Sequence, residues 1–314
     1  MSGARVINLR CRTSDRTPGG GRGASILAER LAERSGTRVR SIGSPGEPHV
    51  GDWADDLREA HGCLLEAGGQ VDDALDEGAF PVVTASDCSI CITTLPTVAR
   101  RFSDVRFAWL DAHGDFNTPS TTTSGFLGGM CLAAACGRWA VRPVAATAAG
   151  RESDGGLADL ARLTDRYGTI DPSCVVMAGV RDLEGGEKVE LELAGVGQAR
   201  PSQLPDALRG ETVYVHLDLD VLDPDLFPAQ FPAPHGISDT GLRTLLGELG
   251  RAADVVGIEI TAFEAPEDDA ERDVLADLVV GIVAPLLPAP HALNAPAPAR
   301  PATPARAGRA WAEP

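Results

Sequence analysis

Seven short apolar segments, separated by longer amphipathic stretches, are the feature that most limits how this chain can fold. They are rich in Val and Ile and lack the alternation of a half-exposed strand, and they occupy residues 6–9, 38–42, 80–84, 105–111, 174–179, 212–219 and 255–261. Strands of this kind are typical of a parallel sheet that is buried on both faces. Helical spacing of apolar residues recurs between them, at residues 25–34, 53–75, 94–101, 129–136, 240–249 and 272–286. The alternation predicts a doubly wound α/β fold.

Length and composition indicate one large folded domain followed by a C-terminal segment rich in Pro and Ala. The chain has 314 residues, and Pro and Ala dominate it from residue 288 onward. We therefore predict a single domain over residues 1–287 and a disordered tail over residues 288–314. The formal net charge of −17 argues against nucleic-acid binding, which needs a Lys/Arg surface.

Targeting and redox signals favour a cytoplasmic protein. Arg residues interrupt the apolar segments near the N-terminus, unlike a signal peptide, and no run of 18 apolar residues predicts a membrane span. The cysteines number seven, at irregular spacing, which does not indicate a disulfide framework. We therefore expect reduced thiols.

Two predicted strands run directly into clusters of acidic residues. One ends in Asp111-Ala112-His113-Gly114-Asp115 and the other in Asp218-Leu219-Asp220. Alternate residues of an extended chain point the same way, so the acidic side chains of each cluster share a face. Carboxylates at the end of a buried strand are costly unless they bind a cation or accept hydrogen bonds. Together the clusters predict a divalent-metal site, although Asp-x-Asp alone also occurs in turns.

Longer segments around these clusters resemble the arginase/ureohydrolase family. Asp-Ala-His-Gly-Asp-Phe-Asn-Thr-Pro at residues 111–119 and His-Leu-Asp-Leu-Asp-Val-Leu-Asp-Pro at residues 216–224 are similar to its two central metal motifs. Residues 179–182 and 257–266 match further family segments. The resemblance implies a three-layer fold with a central parallel sheet of about eight strands. It also implies two Mn²⁺ per chain, with Zn²⁺ or another divalent metal as the alternative.

The resemblance also implies roles for the acidic residues. Asp111 and Asp218 would bridge both metals, which would activate a water molecule for attack on a guanidino carbon. Asp115 would also accept a proton from that water and pass it to the leaving amine. The complete implied ligand set is Cys88, Asp111, His113, Asp115, Asp218 and Asp220.

The chain departs from the family pattern at Cys88 and in the loop at residues 117–129. Cys88, in Ala-Ser-Asp-Cys-Ser, stands where the family has a metal-binding His, and a thiolate is a softer ligand that alters metal preference. In the loop at residues 117–129, Asn117 and Ser124 keep the positions that hold the substrate carboxylate. Phe126 replaces a third such residue, an Asn, and Gly128 replaces the His that shuttles protons.

Further substrate contacts follow from the resemblance less directly. Glu184 and Glu187 match positions that meet the substrate's α-amino group, and the residues alone leave open whether they are the solvated start of a helix. Ala262 stands where the family places the Glu that pairs with the guanidinium. Glu264 shares the face of Ala262 on an extended strand and is the predicted substitute, whereas Glu259 lies on the other face.

The departures are similar to one branch of the family, the Nω-hydroxy-L-arginine amidinohydrolases of D-cycloserine biosynthesis. This resemblance predicts a cytoplasmic hydrolase of linear amidines in antibiotic biosynthesis, which converts hydroxyarginine to hydroxyurea and L-ornithine. The alternatives are another ureohydrolase reaction, on arginine, agmatine or a formimino acid, and a non-catalytic metal-binding member. His216 shares a face with Asp218, and we interpret it as an orienting residue rather than a ligand. A homo-oligomer is compatible with the sequence, which leaves the oligomeric state open.

Overall fold

A computed structural model describes residues 3–139 and 153–289, and the predicted tail lies outside the described residues from residue 290 onward. Eight parallel strands form one sheet in the order β2-β1-β3-β8-β7-β4-β5-β6. The strands are β1 (Ala4–Leu9), β2 (Val39–Ile42), β3 (Phe80–Thr84), β4 (Arg106–Leu110), β5 (Val175–Ala178), β6 (Gly197–Ala199), β7 (Thr212–Asp218) and β8 (Asp254–Thr261). The predicted α/β fold with about eight parallel strands is confirmed, and β6 is the strand that the apolar pattern missed.

Helices cover both faces of this sheet. They are α1 (Pro18–Ser35), α2 (Trp53–Asp76), α3 (Cys91–Arg101), α4 (Cys131–Ala135), α5 (Ser153–Tyr167), α6 (Gly185–Ala194), α7 (Leu204–Ala207), α8 (Asp239–Ala252) and α9 (Asp269–Val283). Buried residues of α2, α3, α4 and α5 form one core cluster with Phe107 and Trp109 of β4. Those of α1, α8 and α9 form a second cluster with Ala108 and Leu110. Alternate residues of the same strand thus feed opposite cores, as a doubly wound sheet requires.

Helix α1 begins earlier than the sequence indicated, because its glycines are used for packing. The Gly-rich segment at residues 18–23, which precedes the predicted helix at residues 25–34, forms the first turns of α1. A Cβ at Gly19 would collide with the carboxylate of Glu264, and one at Gly23 would collide with the backbone oxygen of Phe263. The glycines let the helix approach the chain that follows β8, which lies beside the site described below.

The expectation that the cysteines are all reduced is wrong for one pair. Cys11, which follows β1, and Cys63, in α2, form a disulfide with a Cα–Cα distance of 6.6 Å. The two residues are 52 positions apart, and only the packing of α2 on β1 brings them together, so their spacing carries no local signal. Cys88, Cys91, Cys131, Cys136 and Cys174 are free thiols. Among the described helices, we find none that combines the length and the apolarity needed to cross a bilayer.

The strand order places the acidic clusters side by side. β3, β8, β7 and β4 are consecutive neighbours in the sheet. Leu110 and Leu217 are paired across β4 and β7, so Asp111 and Asp218 leave the sheet next to each other. The carboxyl ends of parallel strands form the edge where α/β sheets of this kind bind ligands.

Candidate metal centre

The two acidic clusters meet at this edge of the sheet. His113 Nδ1 lies 2.9 Å from Asp220 Oδ2 and 3.5 Å from Asp111 Oδ1, so residues from both motifs are in contact. Asp111 accepts a hydrogen bond from the backbone nitrogen of His113 at 2.7 Å, and Asp218 accepts one from that of Asp220, also at 2.7 Å. These bonds hold Oδ1 of each carboxylate, while Oδ2 of Asp111 accepts from Trp109 Nε1 and Oδ2 of Asp218 contacts the sulfur of Cys88.

Cys88 joins the cluster from the turn that follows β3. Its sulfur lies 2.8 Å from Asp218 Oδ2 and 3.1 Å from Thr261 Oγ1. The adjacent Asp87 caps this turn by accepting a hydrogen bond from the backbone nitrogen of Ser89. The position that differs from the family pattern therefore lies beside Asp218 of the second acidic cluster.

Asp115 completes the predicted ligand set. It has a φ of 48°, a left-handed conformation that is uncommon for Asp and that ends the extended run of the motif. Its Oδ2 lies 3.6 Å from the sulfur of Cys131 in α4. Asp115 lines the same cavity as Cys88, His113 and Asp218, so the structure brings these residues together with Asp111 and Asp220.

The charge of this cavity fits divalent cations. It has a volume of about 420 Å³ and is lined by eight carboxylate residues, and no Lys or Arg is among the lining residues of the described chain. Carboxylates, an imidazole and a thiol together suit divalent transition metals, with the thiol favouring softer ions than Mn²⁺. Ligand atoms of Asp111, His113 and Asp220 lie within 4.8 Å of one another, as do those of Cys88, Asp111 and His216. The donor set therefore fits the two-metal centre that the resemblance implies.

The crowding of buried carboxylates raises the pKa values of several candidate ligands. Burial, together with the neighbouring Asp220, raises the pKa of Asp218 to about 7. Burial and the charge of Asp111 raise the pKa of both Asp115 and Asp220. Burial lowers the pKa of His113, but hydrogen bonds to Asp111 and Asp220 outweigh it and raise this pKa to about 12. Metal binding at such a site must displace protons, so it is coupled to pH.

The predicted substrate residues lie on one wall of the cavity. Asn117 is buried, Ser124 is exposed, and both line the cavity with Glu184 and Glu187. Glu187 lies in the first turn of α6 and accepts hydrogen bonds from the backbone nitrogens of Phe116, at 2.9 Å, and Glu184, at 3.2 Å. Glu187 is only 3% exposed, so the alternative of a solvated helix start fails for this residue. Burial raises its pKa to about 7.

The two loop departures of this chain are sterically linked. A Cβ at Gly128 would lie 2.5 Å from Cε1 of Phe126, so the phenyl ring occupies the space that a larger residue at position 128 would need. Phe126 packs against Phe231 with ring centroids 4.8 Å apart, and the guanidinium of Arg16 lies 4.8 Å from its centroid. An aromatic surface thus replaces the polar groups expected by resemblance at these positions.

Glu264 reaches the cavity, although the predicted reason is wrong. Strand β8 ends at Thr261, and Ala262 has a φ of 58°, so the chain is not extended at the point where we assumed a shared strand face. Ala262 and Glu264 nevertheless both line the cavity. Glu264 Oε2 accepts a hydrogen bond of 2.7 Å from Thr17 Oγ1. Glu259 is fully buried behind the sheet edge and is not among the residues lining the cavity.

Several residues near the cavity had no sequence signal. Gln230 and Phe231 lie in the irregular segment after the second metal motif, where neither periodicity nor a motif singles them out. Arg16 and Thr17 come from the loop before α1, and their contacts with Ser124, Phe126 and Glu264 span more than a hundred residues. Long-range contacts of this kind follow from the strand order, which the local sequence does not encode.

A doubly wound parallel sheet that gathers four aspartates, a histidine and a cysteine at its carboxyl edge belongs to a class of α/β metal-dependent hydrolases. A model of the arginase family matches residues 48–286, and the chain belongs to this family. It is accordingly a hydrolase of C–N bonds other than peptide bonds.

Two relatives and one solved structure define the similarity more closely. The N(omega)-hydroxy-L-arginine amidinohydrolase of Streptomyces lavendulae is 30% identical over 279 residues, which are 87% of this chain and 93% of that protein. The arginase of Bacillus caldovelox is 29% identical over 82% of this chain and 80% of its own length. The structure of that arginase covers 90% of this chain and 98% of its own, with a TM-score of 0.72 and 25% sequence identity.

Proposed function

We propose that this chain is a two-metal amidinohydrolase that converts Nω-hydroxy-L-arginine to hydroxyurea and L-ornithine. The observation that carries the proposal is the position of Cys88, whose sulfur lies 2.8 Å from Asp218 at the metal motifs. The Phe126 ring over Gly128 supports it, because it leaves no room for a proton-shuttling side chain at position 128. The similarity to the Streptomyces lavendulae enzyme, which is named for this substrate, favours the same substrate for this chain.

Six residues would hold the two cations in this proposal. Asp111 and Asp218 would be shared, because each leaves the sheet at the centre of the cluster. Cys88 and Asp115 would complete one site, and His113 and Asp220, which are already in contact at 2.9 Å, would complete the other. When bound, the cations supply Lewis acidity and activate a water molecule for attack on the guanidino carbon. We propose two Mn²⁺, with Zn²⁺ or another divalent ion as the alternative.

The remaining residues position the substrate and move its protons. Asp115 takes up a proton from the attacking water and returns it to the leaving nitrogen of ornithine, as a general acid/base. Asn117 and Ser124 hold the substrate carboxylate, and Glu184 and Glu187 face its ammonium group. Glu264, which lines the cavity and is held by Thr17 through Oε2, pairs with the guanidino group.

The absence of a shuttle residue at position 128 bears on the choice of substrate. Hydroxylation withdraws electrons and makes a guanidine less basic than that of arginine, while the same ornithine nitrogen leaves from both substrates. A cavity with eight carboxylates accommodates either cationic or neutral guanidines, so charge alone does not distinguish the two substrates. Cys88 and the Phe126 ring over Gly128, which depart from the arginase pattern, are the features that favour the hydroxylated substrate over arginine.

The test is a direct comparison of the two substrates with the Mn²⁺-loaded protein. We expect ornithine and hydroxyurea from hydroxyarginine, and little or no urea from arginine. Asp218→Ala is the control, and it should lose bound metal and turnover together because Asp218 lies at the centre of the cluster. A preference for arginine would show that arginine, and not hydroxyarginine, is the substrate. A metal-loaded protein that turns over neither guanidine would indicate the non-catalytic alternative.

We also propose that the enzyme works in the cytoplasm and that residues 1–287 suffice for its activity. A metal-binding Cys88 must stay reduced, and a reducing compartment favours this, whereas Cys11 and Cys63 would form their disulfide only under oxidising conditions. A chain that ends after Leu287 should retain metal binding and turnover, because the residues assigned above all precede it. Loss of both in the shortened chain, with unchanged thermal stability, would contradict this domain boundary.

A further inference from the structure

A buried histidine–glutamate pair lies behind the metal motifs, and the proposed reaction does not use it. His216 in β7 and Glu259 in β8 are paired residues in the sheet, and both are 0% exposed. His216 Nδ1 lies 2.6 Å from Glu259 Oε1. A carboxylate buried this deeply requires compensating partners, so the pair itself is well explained as a satisfied polar contact of the core.

The other end of the imidazole points to the metal motifs. His216 Nε2 lies 3.2 Å from the sulfur of Cys88. A core histidine that served only to neutralise Glu259 would have no reason to direct its second nitrogen to the one predicted ligand that departs from the family pattern. Cys88, His216 and Glu259 therefore form a continuous chain of contacts from the candidate metal centre into the core.

The ring of His216 is fixed from its face as well as from both nitrogens. Trp109, its neighbour across β4 and β7, stacks on it with a centroid distance of 3.6 Å and an interplanar angle of 3°. Trp109 Nε1 in turn donates to Asp111 Oδ2 at 3.1 Å. The orientation of the imidazole is thus tied to two of the predicted ligands, Cys88 and Asp111.

Glu259 is held from its far side. Thr94 Oγ1 in α3 donates to Glu259 Oε2 at 2.6 Å, and Tyr214 Oη donates to the same oxygen at 3.3 Å. Both oxygens of the carboxylate are therefore bonded, and neither faces the cavity. Because Glu259 cannot rotate without breaking these bonds, it fixes the imidazole through Nδ1.

We propose that His216, held by Glu259, positions the sulfur of Cys88 for metal binding; this rests on the proposed function, in which Cys88 is a ligand. Ligand groups in metal sites are commonly oriented by a hydrogen-bonded neighbour, and loss of that neighbour typically weakens metal binding about 10–100-fold. Here the oriented group is a thiol, whose sulfur is positioned by a single rotatable bond and contacts His216 as well as Asp218 and Thr261. His216 is thus a positioning residue and does not touch the substrate.

The experiment uses metal binding and a spectroscopic signal as readouts besides turnover. Mn²⁺ affinity is measured by titration calorimetry for wild type, His216→Asn, Glu259→Gln and Tyr214→Phe. The same proteins are loaded with Co²⁺, whose bond to a thiolate gives a charge-transfer band in the near ultraviolet. Tyr214→Phe is the matched control, because it removes the longer of the two bonds to Glu259 Oε2, at 3.3 Å, while the 2.6 Å bond from Thr94 still holds that oxygen. Thermal unfolding of the metal-free proteins monitors folding.

We expect His216→Asn to weaken one Mn²⁺ site about 10–100-fold and to reduce or shift the charge-transfer band, with a smaller change of the same kind in Glu259→Gln. Tyr214→Phe should leave both readouts as in wild type. An unchanged band and unchanged Mn²⁺ affinity in folded His216→Asn and Glu259→Gln would overturn the proposal. If His216→Asn fails to fold, Glu259→Gln decides by the same criteria.

The positioning role of His216 and the proposed reaction are tested by different measurements. Wild-type turnover of hydroxyarginine tests the reaction without reference to His216. A wild-type Co²⁺ protein without a charge-transfer band would show that Cys88 is not a ligand, and it would overturn the positioning role whether or not the reaction occurs. An active wild type with a band that His216→Asn leaves intact would overturn the positioning role alone.

Discussion

Phe126 occupies the space beside Gly128, so substitutions at these two positions should have non-additive effects on the free energy of unfolding. Gly128 begins a short 3₁₀ turn over Gly128–Met130 and is not among the glycines with positive φ, so its backbone tolerates a Cβ. In open space, Gly→Ala at such a position stabilises a protein by about 0.4–1 kcal/mol, because it restricts the unfolded chain. Here the new Cβ would lie 2.5 Å from the Phe126 ring, and overpacking of this kind costs about 1–3 kcal/mol. We therefore expect Gly128→Ala to be destabilising.

Removal of the ring should reverse the sign of this effect. In a Phe126→Ala background the collision is absent, so Gly128→Ala should become neutral or stabilising. The interaction energy of the cycle should then be about 1–3 kcal/mol, which is well above the ~0.3–0.5 kcal/mol expected for independent sites. Urea unfolding of the four proteins, each metal-loaded at a fixed concentration, measures it. Additive effects of the two substitutions would refute the claim that Phe126 occupies the space of a residue-128 side chain.

Three further predictions concern the disulfide, a buried carboxyl group and the cysteine at the metal centre. Cys11→Ser should lower the free energy of unfolding of the oxidised protein by up to about 4 kcal/mol, because the bond closes a loop of 52 residues; an unfolding midpoint like that of wild type would contradict this. Burial and the neighbouring Asp87 raise the pKa of Asp15 to about 8. A buried carboxyl group with a raised pKa stabilises the fold at low pH, and this contribution is lost as the pH rises toward 8. Asp15→Asn should therefore flatten the decline of the melting temperature between pH 5 and pH 8. Equal slopes of melting temperature against pH in the variant and in wild type would exclude this role of Asp15. Cys88→His should change the relative affinities for Mn²⁺ and Zn²⁺, since it replaces a soft ligand, and unchanged affinities in calorimetry would show that Cys88 is not a ligand.

The sheet and the core of the site were predictable because both are encoded by short, contiguous patterns. The strands β4 and β7 are apolar runs that end directly in the ligand motifs, so one segment of sequence specifies both the element and its chemistry. Parallel strands place their carboxyl ends at one edge, so Asp111 and Asp218 were expected at the same edge of the sheet. They are in addition neighbours because β4 and β7 are adjacent, and this strand order is not encoded locally. The fold class and the edge that carries the ligands therefore follow from local information.

The features that were missed depend on which elements pack together. The Gly-rich start of α1 is polar and flexible by composition, and its helical state depends on close contact with Phe263 and Glu264. The three-residue strand β6 (Gly197–Ala199) lies at the sheet edge and has no apolar run. The contact of Thr17 with Glu264 joins positions that are 247 residues apart. Packing of distant segments decides each of these cases, and periodicity in the sequence does not report it.

The two departures from the family pattern each have a partner elsewhere in the molecule. The sulfur of Cys88 meets His216 at 3.2 Å, and the ring of Phe126 fills the space above Gly128. A single substitution back to the family residue would therefore meet a neighbour adapted to the present one: an imidazole at position 88 would face the ring of His216, and a side chain at position 128 would collide with Phe126. Because these contacts are buried or tightly packed, a change at one residue of either pair requires its neighbour to adjust. The differences from arginase are thus better understood as two coupled pairs than as independent losses of catalytic groups, and this favours a functional site over a degenerate one.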